Sequence, residues 1–251
     1  MLELKDVSVR FAGLQALSDV SLTARGGEVR ALIGPNGAGK TTLFNAISGY
    51  VPISSGTITL DGAPIHGLTP HEIAAKGVRR TFQNGGLFVE LTALENVLAG
   101  LHARIDASFA GILFGSRAAR AAEREAVSRA RSLLELLGVS HLADQPVKTM
   151  SGGQQRTIEI VRAVAADPPL LLLDEPAVGL APPLRAQLIE LIRRLAGEMG
   201  IAVLLIEHAV DLVMAAADYV AVLNGGSKIA EGPPAKIRSD PAVLEAYLGH
   251  V

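Results

Sequence analysis

The chain has 251 residues, of which 49% are hydrophobic and 19% charged, with a formal net charge of -2 and no cysteine. This length suits one α/β domain carrying a subdomain. The near-balanced charge argues against a broad nucleic-acid surface, and the lack of cysteine excludes disulfides, thiolate zinc sites and iron–sulfur clusters. No apolar stretch reaches the roughly 18 residues needed to cross a bilayer, and the opening Met1-Leu2-Glu3-Leu4-Lys5-Asp6 lacks the basic and apolar regions of a signal peptide, so a soluble, cytoplasmic protein is expected.

The first residues alternate as strands do: Leu2 and Leu4, Val7 and Val9, then Val20 and Leu22 before Gly26-Gly27, a pattern that predicts a small sheet. Val29 to Ile33 forms an apolar run that ends at Gly34, and Thr41-Thr42-Leu43-Phe44 opens a helix. Thr57 to Leu60 with the turn Asp61-Gly62 predicts another antiparallel strand, and from His71 the pattern becomes helical. Mostly helical material fills 84–150, including Leu91 to Leu98 and Arg117 to Leu137, and is read as an inserted helical subdomain. The charges at 117, 120, 123, 124, 125, 129 and 131 are of both signs and predict a solvated helix face; the apolar run 109–114 is read as core, with a partner contact as the other use. Leu170 to Leu173 and Ile201 to Ile206 are continuously apolar, as strands buried on both faces are, with helices between and after them. That alternation predicts parallel strands whose carboxyl ends gather ligands. Tyr219 to Leu223, Asn224-Gly225-Gly226 and Lys228 to Ala230 read as a hairpin.

Gly34-Pro35-Asn36-Gly37-Ala38-Gly39-Lys40-Thr41 lies between the apolar run and the helix, the setting of a phosphate-cradling loop. Gly34, Gly37 and Gly39 permit turns and approaches that a side chain would block. Lys40 is placed to reach the outer phosphates of a nucleoside triphosphate, and the Thr41 hydroxyl to join the shell of a Mg²⁺ that bridges them. Asp174-Glu175 follows a buried strand, a costly place for charge unless it is used. Asp174 is expected to bind Mg²⁺ and Glu175 to polarise a water for in-line attack. His208, after Ile201 to Glu207, is expected in the same crevice, bonding the terminal phosphate or the attacking water. Ser151-Gly152-Gly153-Gln154, opening a helix near Gln154, is a second phosphate-binding type of sequence.

With these residues in place, the sequence resembles the nucleotide-binding subunit of an ATP-binding cassette (ABC) transporter over nearly its whole length. Gly34 to Thr42, including Pro35, Asn36, Ala38 and Thr42, matches the Walker A loop; Gln83 the glutamine loop, a ligand of metal and a catalytic contact; Ser151 to Gln154 the signature; Leu170 to Glu175 the Walker B strand; and His208 the switch histidine. Phe11 matches the aromatic that stacks on adenine. The resemblance implies a P-loop NTPase (RecA-like) α/β core, one ABC ATPase domain over 1–251, with an antiparallel β-subdomain drawn from 1–30 and 51–62 and the helical insert at 84–150. It implies ATP and Mg²⁺ as ligands and a head-to-tail dimer, with a paralogue or a second copy, in which the signature of one chain completes the site of the other. It also implies a groove around Gln83 that receives a short helix from each membrane subunit.

Arg80-Thr81-Phe82-Gln83-Asn84, Leu87-Phe88, Leu91-Thr92 and the tail segments 229–232 and 245–249 resemble ATPases of branched-chain amino acid importers. The implied partners are two polytopic permease subunits and, indirectly, an extracytoplasmic solute-binding protein, with no nucleic acid, and the implied location is the inner face of the cell membrane. An ATPase of a lipid or lipopolysaccharide exporter, or an ATP-gated clamp outside transport, shares the core motifs. Three departures stand out: Met150 replaces the family's usual leucine, Ala181 removes a side-chain link between the two sites of a dimer, and Gly85-Gly86 is expected to loosen the segment after Gln83.

Overall fold

The computed structural model describes residues 1–81, 86–101 and 117–248. The chain divides into two compact units, one made of Met1–Gln83 with Pro169–Val251 and the other of Asn84–Pro168.

The first unit holds two sheets. Strands β1 (Leu2–Phe11), β2 (Leu14–Ala24), β4 (Ser55–Leu60) and β5 (Ala63–Pro64) form an antiparallel sheet in the order β2-β1-β4-β5. Strands β3 (Val29–Ile33), β6 (Val78–Arg80), β7 (Leu170–Asp174), β8 (Ala202–Ile206), β9 (Tyr219–Asn224) and β10 (Ser227–Gly232) form the second sheet, in the order β10-β9-β3-β8-β7-β6. All its neighbours are parallel except the β9–β10 hairpin. Every residue of β3, β7 and β8 is buried, which is why their sequences run apolar without alternation.

The sequence spacing around Leu4 and Val7 has a structural cause. Two residues of alternation are interrupted by an odd step, and the pairing register of β1 with β2 and β4 shifts there, with Asp6 at φ 48°. This β-bulge returns Val7 and Val9 to the buried face that Leu2 and Leu4 occupy. The Ser21 hydroxyl accepts from the Asp6 amide and donates to its carboxylate, both at 2.9 Å. One buried cluster then joins Leu2, Leu4, Val7 and Val9 to Leu43, Phe44 and Ile47 of helix α1 (Lys40–Ile47) and to Leu32, Leu172 and Leu204 of the parallel sheet.

Four further helices belong to this unit besides the short α2 (Pro70–Ala75): α6 (Pro182–Gly197), α7 (Val210–Ala216), α8 (Pro234–Arg238) and α9 (Pro241–Leu248). Proline at the start of α2, α6 and α8 suits the first turn, where its missing N–H costs no bond. The segment after His71 is not helical throughout: β6 follows α2 directly, because Val78 to Arg80 pairs in register with Leu170 to Leu172. Three residues are too few to carry a period, so only the partner strand reveals it.

The second unit packs α3 (Ala93–Leu101), α4 (Arg117–Leu136) and α5 (Gly152–Val164) around Val97, Leu101, Leu134, Ile158 and Val161, all buried. It runs to Pro168, past 150, because α5 packs on α3. A Cβ at Gly100 of α3 would lie 2.4 Å from the Arg162 carbonyl oxygen, so the two helices touch backbone to backbone. The side chains at 120, 123, 124, 125, 129 and 131 are exposed, the solvated face their mixed signs imply. The 109–114 run and the side chain at 117 lie outside the described residues.

The bulge yields a prediction. Gly56, at φ +88°, faces it, and an added Cβ would lie 2.3 Å from the Asp6 carbonyl oxygen. Gly67 has a similar φ of +82° with open space around it. Gly67→Ala should cost about 1 kcal/mol, the left-handed penalty alone, whereas Gly56→Ala should cost at least ~2 kcal/mol more through the clash. Chemical denaturation of the two variants measures the difference.

Candidate nucleotide site

The segment Gly34–Gly39 leaves the carboxyl end of β3 and turns into α1, whose amide-rich end opens on the loop. Gly39 caps α1 without a side chain, and no acidic residue occupies the first turn to oppose an anion. The loop is braced from outside. At Gly34 a Cβ would fall 2.1 Å from the Leu223 carbonyl oxygen, and Gly226, in the β9–β10 turn, donates its amide to the Ala38 carbonyl at 3.2 Å. Glycine at 34 is therefore a requirement of packing against the hairpin. Asn36, Gly37 and Thr41 are exposed, and Thr42 is half-buried.

Lys40 is buried, and its Nζ donates to the carbonyls of Gly34 at 2.8 Å and Pro35 at 3.0 Å. Burial pushes its ammonium below the ordinary lysine value, while the charge of Glu175 acts in the opposite direction. That electrostatic link brings together two residues 135 positions apart in the chain.

Asp174 ends β7 and is buried beside Arg80 of β6, whose Nη2 lies 2.7 Å from its Oδ2. Arg80 also donates to Asn45 Oδ1 at 2.8 Å and stands over the Phe44 ring at 5.6 Å. A carboxylate this deep is tolerable because it is paired and charge-assisted. Glu175 takes a left-handed φ of 48°, with its amide donating to the Ile206 carbonyl at 2.9 Å. A non-glycine residue held in this region is a cost that clusters at working sites. Its Oε1 lies 3.0 Å from His208 Nε2. The histidine that the sequence aims at a phosphate or a water thus meets the carboxylate that would polarise that water. Between them, the next residue after β8, Glu207, sends its carboxylate into the interior, where it accepts backbone amides.

Oxygen donors for a cation are the Thr41 hydroxyl at the start of α1 and the Asp174 carboxylate. Among the described residues no group of three or more His, Cys, Asp and Glu side chains gathers as a metal cage. Few protein ligands of hard oxygen type, beside a phosphate cradle, fit Mg²⁺, which keeps waters and takes phosphate oxygens for the rest.

Ser151, Gly152, Gly153 and Gln154 lie in the second unit at the start of α5, which begins at Gly152 rather than near Gln154. Ser151 Oγ accepts from the Gln154 amide at 3.3 Å and Gln154 Oε1 accepts from the Ser151 amide at 2.9 Å, a reciprocal cap. Ser151 and Gly152 are exposed. Phe11, at the end of β1, is 45% exposed and Leu14 beside it 71%. Gln83 and Gly85 lie outside the described residues. Gly86 is anchored, its carbonyl accepting from Arg162 Nη1 at 2.7 Å. Sequence reasoning missed Arg80, Asn45 and Glu207. Glu207 carries the same signal as Asp174-Glu175, a charge directly after a buried strand.

The ABC transporter family pattern matches residues 17–178, and that of branched-chain amino acid ATP-binding cassette transporters matches residues 227–251. The high-affinity branched-chain amino acid transport ATP-binding protein BraF of Pseudomonas aeruginosa is 45% identical over 249 residues, 99% of this chain and 98% of that protein. A crystal structure of an ATP-binding cassette of an ABC transporter in its ADP conformation superposes with a TM-score of 0.84 at 35% identity, covering 99% of this chain and 98% of the other. A dimeric post-hydrolysis cassette bound to ADP and phosphate has a TM-score of 0.75 at 26% identity, covering 93% and 99%. The braced phosphate loop, the paired carboxylates after β7 and the histidine after β8 are thus features of a chain that belongs to the ABC transporter family of ATP-binding subunits.

Proposed function

We propose that the chain is the ATP-hydrolysing, energy-coupling subunit of an importer for branched-chain amino acids or related small polar solutes. The observation that carries this reading is the placement of Lys40, Glu175 and His208 just past the carboxyl ends of three adjacent parallel strands, with His208 Nε2 3.0 Å from the Glu175 carboxylate.

In this reading Phe11 stacks on adenine, its exposed ring free to do so. Backbone amides of Gly34, Asn36, Gly37, Ala38 and Gly39, with Pro35 shaping the turn and Thr42 following, cradle the phosphates, and Lys40 turns its ammonium from the loop carbonyls to the outer phosphate oxygens. Glu175 accepts the proton of a water aligned for attack on the terminal phosphorus, and the single N–H of His208, which holds that carboxylate before nucleotide binds, turns to donate toward the transferred phosphoryl group. Thr41, Asp174 and Gln83 would hold Mg²⁺, which supplies charge neutralisation to the phosphate oxygens when bound.

Ser151, Gly152, Gly153 and Gln154 serve the site of a second such subunit, a paralogue or another copy, so that ATP closes a head-to-tail dimer and its hydrolysis releases it. Gln83 carries the closure to two polytopic permease subunits, which receive solute from an extracytoplasmic binding protein. Among the described residues no helix is long and apolar enough to cross a membrane, in keeping with a subunit that sits peripherally on the inner face.

Glu175→Gln should lower ATP turnover by at least ~100-fold, the usual size of a lost general base, with ATP affinity kept within a few-fold. Phosphate release and fluorescent-nucleotide binding measure the two quantities, and full turnover in this variant would remove Glu175 from the role of base. Phe11→Ala should weaken ATP binding about tenfold, the scale of one lost aromatic–base stack, and leave the rate at saturation nearly unchanged. An unaltered dissociation constant would assign the ring some other use.

A further inference from the structure

Glu207 is a buried carboxylate, 3% exposed, that the hydrolytic scheme leaves idle. Its Oε1 accepts the Ala177 amide at 2.7 Å, and its Oε2 accepts the amides of His208 at 3.0 Å and Ala209 at 3.3 Å. Backbone amides offset the desolvation of the charge through charge-assisted bonds, the shortest of them to Ala177. Their donors come from two segments. Ala177 stands two residues after Glu175, and the others carry and follow the histidine.

We infer that Glu207 is a positioning residue that joins the segment after Glu175 to the His208 segment as one body. Three links span the pair: the Glu175 amide on the Ile206 carbonyl, the Ala177 amide on Glu207, and His208 Nε2 on the Glu175 carboxylate. Remove the middle link and the His208 segment keeps only the Glu175–Ile206 backbone bond and its own imidazole contact to set it relative to Glu175. The segment it grips continues through Val178, which is 63% exposed, to Ala181, the N-cap of α6, whose methyl makes no cap bond. The inference rests on the ATPase reading and adds to it the residue that aligns its base and its histidine.

Glu207→Gln keeps the shape of the side chain but replaces one acceptor oxygen with a donor. Glu207→Asp keeps the charge and its bonds to the adjacent amides, and draws it back from Ala177 by one methylene. Both variants should lower kcat by roughly tenfold to a hundredfold, the scale of a misaligned catalytic group, with KM for ATP within about threefold. Hydrogen exchange should speed up in the peptide containing Ala177. In a His208→Ala background the same changes should cost less than about twofold more in single-turnover phosphate release, because their effect passes through the histidine. Equal losses in both backgrounds, or a fully active Glu207→Asp, would overturn the inference and leave Glu207 as a support of the fold. Glu175→Gln assayed beside them separates the two ideas: if it turns over at full rate, the hydrolytic reading falls and this one with it; if it is inactive while the Glu207 effects are equal in both backgrounds, only the positioning role falls.

Discussion

Three parallel strands, β3, β8 and β7, lie side by side with every residue buried, so their polar neighbours in sequence have one place to go, the carboxyl edge of the sheet. The rest of the site follows from that constraint. The phosphate loop leaves β3, Asp174 and Glu175 leave β7, and Glu207 and His208 leave β8, which lies between them. The register places Ile206 beside both Leu32 and Asp174. Residues scattered over 170 positions therefore meet along one line, as open α/β sheets generally bring ligand groups together.

Charge at that edge is balanced by partners of different kinds. Asp174 has a guanidinium, Glu175 an imidazole within hydrogen-bond reach, and Glu207 only amides. Lys40 spends its charge on two carbonyls of its own loop. Each of these arrangements holds a group in one orientation, and the preference of burial for neutral groups makes the pairing obligatory. In the proposed site an incoming triphosphate would compete for Lys40 on favourable terms, since a charged oxygen is a stronger acceptor than a peptide carbonyl.

Much of this was legible in the residues themselves. Gly34 to Thr41 announced its use because a glycine loop between an apolar run and a helix has few other purposes, and Leu170 to Glu175 because charge after a buried strand is expensive. The alternation of β1 and β2 was readable, yet its odd step from Leu4 to Val7 needed the bulge at Asp6 to make sense. What stayed hidden depends on pairing across distance. Strand β6 is too short for a period, and Arg80 acquires its meaning only when β6 lies beside β7. Glu207 looked like the residue before a histidine; its partner Ala177 is thirty positions away, on a loop whose course no local pattern specifies.

The contact between Gly34 and Leu223 has a bearing on how the molecule comes into being. The loop proposed to cradle phosphate is shaped by a hairpin from residues 219–232, so its geometry waits on chain made almost two hundred residues later. Contacts of such separation are slow to form and come late in folding. A growing chain that already displays every residue of the loop would still lack its rear wall. On the proposed reading, competence to grip a nucleotide waits until residues 219–232 have been made and both sheets have formed, and a chain stopped before that hairpin has little means of engaging ATP.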